Sequence, residues 1–134
     1  MEFIDYSDFY YREKLKEPPP PQRTGKFVQI RNDTGGDFII LSPKGFSPYH
    51  ADILRFFCGQ RGIDGLYSSE LKFFEISDPT WRVTGGGKWS IDEGLKTLRL
   101  HGYSQAYGSF ITNGLKEGLS KINDLAGYEI TIES

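Results

Sequence analysis

The chain has one cysteine, one methionine and two histidines in 134 residues. A single thiol, Cys58, excludes an intrachain disulfide and any multi-cysteine zinc site. His50 and His101 lie too far apart for metal-ligand spacing, and no HExxH is present, so neither a metal nor a cofactor is expected. No apolar run approaches the roughly 20 residues that span a bilayer. The opening MEFIDYSDFYYREKLKE has acids and no apolar core of a signal peptide, which makes a cytoplasmic setting the expectation. The sequon Asn32-Asp33-Thr34 is then not expected to carry a glycan. A basic excess is also missing: 16 Lys and Arg against 18 Asp and Glu give a net charge of −2. No nucleic-acid partner is expected from that balance. Two phosphate-handling signatures are absent as well. Gly87-Lys88 is followed by Trp89 instead of Ser or Thr, and Arg82 replaces the first glycine of a P-loop. A cysteine-phosphatase loop built on Cys58 would require arginine where Asp64 stands. Cys58 itself falls in an apolar helical stretch, where a buried, inert thiol is the better reading.

What is present suffices for one folded domain, with 37 % hydrophobic and 15 % aromatic residues. Residues 1–25 read as an N-terminal extension whose aromatics Phe3, Tyr6, Phe9, Tyr10 and Tyr11 precede the spacer 18-PPPP-21. Pro18, Pro21 and Arg23 also match the proline-plus-basic pattern of SH3-type ligands, so PPPPQR is a candidate partner segment; a plain linker weighs more. From Lys26 the pattern is regular. KFVQIR (26–31) and DFIIL (37–41) read as a hairpin around NDTGG. Ser47-Pro48 resembles an N-cap with proline in the first turn, followed by apolar residues at helical spacing (Tyr49, Ile53, Phe56 and Phe57) and by Gly59 and Gly62 near the end. LKFFEI (71–76) is either a short strand or part of an insertion. TWRVT (80–84) reads as a strand running into three glycines. KTLRLHGYS (96–104) alternates, with Leu98, Leu100, Gly102 and Ser104 on one face and His101 on the other. LKEGLSKINDL (115–125) is an amphipathic helix, and YEITIE (128–133) a closing strand. The order predicts an α/β (α+β) fold: a mixed sheet of about five to six strands packed between two main helices.

Three places carry candidate chemistry. With Ser47 as N-cap, His50 is the third helical residue, where unpaired N–H groups bind anions and the helix dipole favours neutral imidazole. Neutral imidazole is what a general base or nucleophile requires. A histidine packed beside Leu54 and Phe57 is the plainer alternative, and from pattern alone it weighs more. GYSQAYGS (102–109) follows a strand, so its amides and Ser104 could line an oxyanion pocket; equally it is a Gly-rich turn. Lys88, after Gly85-Gly86-Gly87, could reach an anion as a point charge, or those glycines could be a flexible hairpin bend. Lys26 and Lys44 are further candidate anion partners.

The blocks KFVQIR (26–31), YHADI (49–53), GGGK (85–88), HGYSQAYG (101–108) and GYEIT (127–131) together resemble the Janus/Ocnus family of phosphohistidine phosphatases, in the family's order. The resemblance runs from residue 26 to about 131 and makes 26–134 a Janus/phosphohistidine phosphatase-like domain. It implies metal-independent hydrolysis of phosphohistidine, and of phospholysine, on substrate proteins by a monomer. The family's catalytic histidine falls on His50, as the base that activates water; a phosphorylated His50 acting as nucleophile is the other route. Substrate contacts fall on Lys26 and on Ser104, Gln105 and Ala106, joined by Lys88 and by Tyr49 and Ala51 beside His50. Four positions depart from the family: Lys88 stands for its usual arginine, Ser42 for a second-strand arginine with Lys44 nearby, LKFFEISDP (71–79) reads as an insertion, and the extension through the prolines is atypical. A non-catalytic member that binds phosphoprotein in the same pocket is the competing reading.

Overall fold

The structure is a computed structural model that describes residues 1–69 and 72–133. Leu71, the first residue of LKFFEI and of the expected insertion, lies outside the described residues, as does Glu70. The chain is a mixed α+β fold built on one six-stranded sheet. Its strands are β1 (Glu2–Asp5), β2 (Gln22–Asn32), β3 (Gly36–Pro43), β6 (Trp81–Asp92), β7 (Thr97–His101) and β8 (Glu129–Glu133). Their order is β1-β3-β2-β6-β7-β8. The outermost pairs, β1 with β3 and β7 with β8, are parallel, and the inner pairs are antiparallel. Helix α1 (His50–Arg61) leads to a separate hairpin, β4 (Gly65–Tyr67) with β5 (Phe74–Ile76). A short helix α2 (Leu115–Ser120) precedes β8.

Strand alternation divides the core in two, because successive side chains leave opposite faces. Phe27, Ile39, Leu41, Trp89, Leu98, Leu100 and Ile130 point to one face and pack with Leu115 and Leu119 of α2. Val28, Ile30, Phe38 and Ile40 point to the other and pack with Ile53, Leu54 and Phe57 of α1. The expected sheet between two helices is present in that sense, although α2 is shorter than the pattern of 115–125 suggested. Asn123–Leu125 forms a separate 3₁₀ turn.

The helix starts later than Ser47-Pro48 predicts. Tyr49 is extended at the N-cap, and His50 is the first helical residue. Asp52 supplies the cap by accepting the Tyr49 N–H at 3.0 Å. Ser47 is instead buried, receiving the Ser42 hydroxyl at 2.7 Å. Gly62 ends the helix at φ 68°, as the glycine pattern indicated.

Residues 1–25 are built into the domain, and the expected boundary at Lys26 falls inside β2. Glu2–Asp5 pairs with Phe38–Leu41. Tyr6, Phe9 and Tyr10 pack on Phe46, and Tyr6 and Phe9 reach Phe56 of α1. Arg23 is 8 % exposed. It binds Glu93 at 2.6 Å, Asp5 at 3.4 Å and the Pro20 carbonyl at 3.0 Å. The arginine of the SH3-type pattern thus ties the proline segment to the sheet. The three glycines are not a hairpin bend either: β6 continues through them, with a register shift against β2 just before Gly85. Among the described residues no helix is long and apolar enough to cross a membrane.

Candidate functional site

The site forms where α1 begins, over the middle of the sheet. Strand register sets its cations. Lys26 of β2 lies opposite Ser42 of β3 on one side and Lys88 of β6 on the other, and Lys88 lies opposite His101 of β7. Directly paired residues share a face, so these four side chains form one row on the α1 side. Trp89 anchors the backbone beneath it, its indole N–H donating to the carbonyls of Lys26 and Ser42 at 3.0 and 3.1 Å. Lys26 Nζ donates to the Pro48 carbonyl at 2.7 Å and lies 5.4 Å from the centroid of the Tyr49 ring. Burial lowers the Lys26 pKa, and the charges of Lys88 and Lys44 lower it further. Positive charge is therefore concentrated here, as an anion site requires.

His50 is 8 % exposed. Its Nε2 lies 2.9 Å from the Gly87 carbonyl. A carbonyl only accepts, so Nε2 carries the proton and Nδ1 keeps its lone pair. Nδ1 has no partner among the described residues, and no fully buried polar side-chain atom there lacks one, so Nδ1 reaches solvent. Burial lowers the His50 pKa most; Lys26 and Lys88 act in the same direction, and the Gly87 bond opposes them. The result is a neutral imidazole with a fixed tautomer and one free basic nitrogen.

The glycine stretch explains how the ring lies so close to the strand. A Cβ on Gly86 would sit 2.7 Å from the Phe27 carbonyl oxygen, 3.0 Å from His50 Cδ2 and 3.3 Å from Ser104 Cβ. Only a hydrogen fits there, so Gly86 makes His50 and Ser104 neighbours. This corrects the alternation expected for KTLRLHGYS. The strand stops at His101, and Gly102, at φ 74°, turns the chain. Ser104 thus reaches the same side of the sheet as His101 and His50.

Ser104 to Gly108 is a closed turn. Ser104 N–H donates to Gly108 O at 3.1 Å and Gly108 N–H to Ser104 O at 2.8 Å. The buried Ser104 Oγ accepts the Tyr107 N–H at 3.0 Å, which leaves its own O–H as a donor. The Gln105 and Ala106 amides have no partner among the described residues. Tyr107 fixes the turn to β5: its hydroxyl accepts the Phe74 N–H at 2.8 Å and donates to the Phe74 carbonyl at 2.7 Å. The same hairpin reaches α1, where the Tyr67 hydroxyl donates to Asp52 at 2.7 Å. Reading LKFFEISDP (71–79) as an insertion missed this bracing role, because nothing in its pattern names a partner.

The structure thus brings His50, Lys26, Lys88 and Ser104 together, with exposed Tyr49 at the rim. Ala51 departs from expectation. Its side chain is fully buried in the core, so only its first-turn amide is available to a ligand. Lys44 is an exposed charge beside Lys26. Two cavities lie elsewhere. One of about 580 Å³ runs between Arg55, Cys58 and the β4–β5 hairpin, and one of about 310 Å³ is lined by Asp5, Arg23 and Tyr128. No group of His, Cys, Asp and Glu able to hold a metal is found among the described residues. No protein-family signature matches the chain, and no curated protein matches it.

Proposed function

We propose that the chain is a metal-independent phosphohistidine phosphatase of the Janus/Ocnus type, acting on phosphohistidine, and on phospholysine, in proteins. The observation that carries this reading is the tautomer of His50: Nε2 is held by Gly87 O while Nδ1 faces solvent within the lysine-rich site. In this reading the phosphoryl oxygens lie against Lys26, Lys88 and the free amides of Gln105 and Ala106. His50 Nδ1 takes a proton from water as its oxygen bonds to phosphorus. The P–N bond breaks, its electron pair passes to the substrate nitrogen, which takes a proton from solvent and leaves neutral; inorganic phosphate departs and His50 returns its proton to solvent. The five sequence blocks in family order support the same assignment. A cytoplasmic setting belongs to the proposal and rests on the lone, buried thiol of Cys58.

The test is phosphate release from a phosphohistidine peptide in the presence of chelator. Release by wild type and its loss in His50→Ala are expected. An inactive wild type, or undiminished release by His50→Ala, would refute the proposal. One observation favours a second reading, a phosphoprotein-binding module without turnover: Lys88, a point charge, stands where the resembled family carries a bidentate arginine. Phosphate-competable peptide binding without release would select it.

A further inference from the structure

The cationic row does not stop at the two lysines. His101 stands opposite Lys88 on β6 and opposite Glu133 on β8. It is partly exposed, and neither ring nitrogen has a hydrogen-bond partner among the described residues. Glu133 does not neutralise it fully, because Arg99 holds that carboxylate through bonds of 3.2 and 3.0 Å. Among the described residues, the charged groups acting on His101 are Lys88 from β6, Glu133 from β8 and Arg99 from its own strand. Partial burial, Arg99 and Lys88 lower its pKa, while Glu133 opposes them. Without a bound anion, these surroundings favour the neutral form of His101.

We propose that His101 is a further contact of the anion site, an imidazole beside Lys88 that gains a proton when a dianion binds. The proposal rests on the anion-binding part of the reading above, not on turnover. A dianion seated against Lys88 offsets that lysine's repulsion and favours protonated His101 by direct attraction. By linkage, whatever raises the affinity of His101 for a proton is itself bound more tightly as pH falls. The row then holds two fixed charges and one conditional charge. Phosphoprotein would be gripped more firmly below neutrality and released more readily above it.

Sulfate is the probe, because it stays a dianion from pH 5 to 8 whereas phosphate titrates. The histidine Cε1–H resonances of the full chain are followed against pH with sodium sulfate and with chloride at equal ionic strength. Sulfate should raise the His101 titration midpoint by about one pH unit, equivalent to about tenfold tighter sulfate binding at the acid plateau. His101→Gln should reduce that pH dependence of sulfate affinity from about tenfold to under about twofold. His50→Gln should retain most of it. Sulfate binding with unchanged pH dependence in His101→Gln would overturn the inference and leave the anion site standing. Loss of the dependence in His50→Gln alone would transfer it to His50 and also overturn the inference. No sulfate binding at any pH would overturn the anion site with it.

Discussion

Gly86→Ala is a sharp probe of the site, because one added methyl meets three elements. The new Cβ would lie 2.7 Å from the Phe27 carbonyl oxygen, closer than such atoms approach, and that oxygen belongs to a strand paired along its length. The other two contacts, at 3.0 and 3.3 Å, are His50 Cδ2 and Ser104 Cβ. The ring cannot retreat without leaving Gly87 O, which it holds at 2.9 Å. Overpacking of this kind costs about 1–3 kcal/mol. At a few degrees per kcal/mol for a domain of this size, Tm should fall by about 3–12 °C. Gly59→Ala is the control: it lies in α1 with nothing within 4 Å of its added Cβ. Alanine there should stabilise by about 0.5–1 kcal/mol. The assay is thermal unfolding by circular dichroism, paired with the NMR signal of the His50 ring. A Gly86→Ala protein as stable as wild type, with an unmoved His50 signal, would refute the packing argument.

Three further outcomes follow from the same geometry. Tyr107→Phe strips both hydroxyl bonds to Phe74 and should cost about 1–3 kcal/mol, with faster amide exchange in β5 and in the 104–108 turn; unchanged exchange there would show that the hairpin does not brace the turn. Arg23→Ala should cost about 2 kcal/mol in denaturant unfolding, a figure kept low because Glu93 is 48 % exposed, and should loosen β1 first; a loss below about 0.5 kcal/mol would contradict its latch role. His50 and His101 both have folded pKa values below their usual 6.5, so the unfolded chain binds more protons in that range. Stability should be fully present above about pH 6.5 and decline as pH falls toward the folded values, and the double His50→Gln, His101→Gln variant should show a flatter profile between about pH 6.5 and 5.

Alternation made β7 and β8 legible, while β2 and β3 stood out as short apolar runs between turn residues, because both their faces are buried against two different cores; of β6 only the start showed, in TWRVT. The site was half legible. His50 and Lys26 stood out by type and place, yet the N-cap was misplaced: Ser47 has the right chemistry, but its hydroxyl serves Ser42 and Asp52 caps the helix from inside. Ser104 was assigned to the wrong face because a period-two pattern does not announce where a strand ends, and Gly102 ended it. Residues 1–25 read as an extension because aromatics and prolines look the same whether exposed or docked. Only the partners, Phe46, Phe56 and Glu93, distinguish the two, and they are distant in sequence. His101 drew little notice because its importance lies in register with Lys88, a relation between strands that no single segment contains.

The two edges of the sheet have a consequence for self-association. Both are short strands, β1 of four residues and β8 of five. Each offers a row of unpaired backbone groups to any neighbouring molecule. Glu2 and Asp5 stand on one edge, Glu129 and Glu133 on the other. Arg61, Arg23 and Arg99 pair with Glu2, Asp5 and Glu133 within the molecule, so the edges carry ion pairs more than bare acids. The shortness of both edges, more than their charge, limits growth of the sheet into a filament.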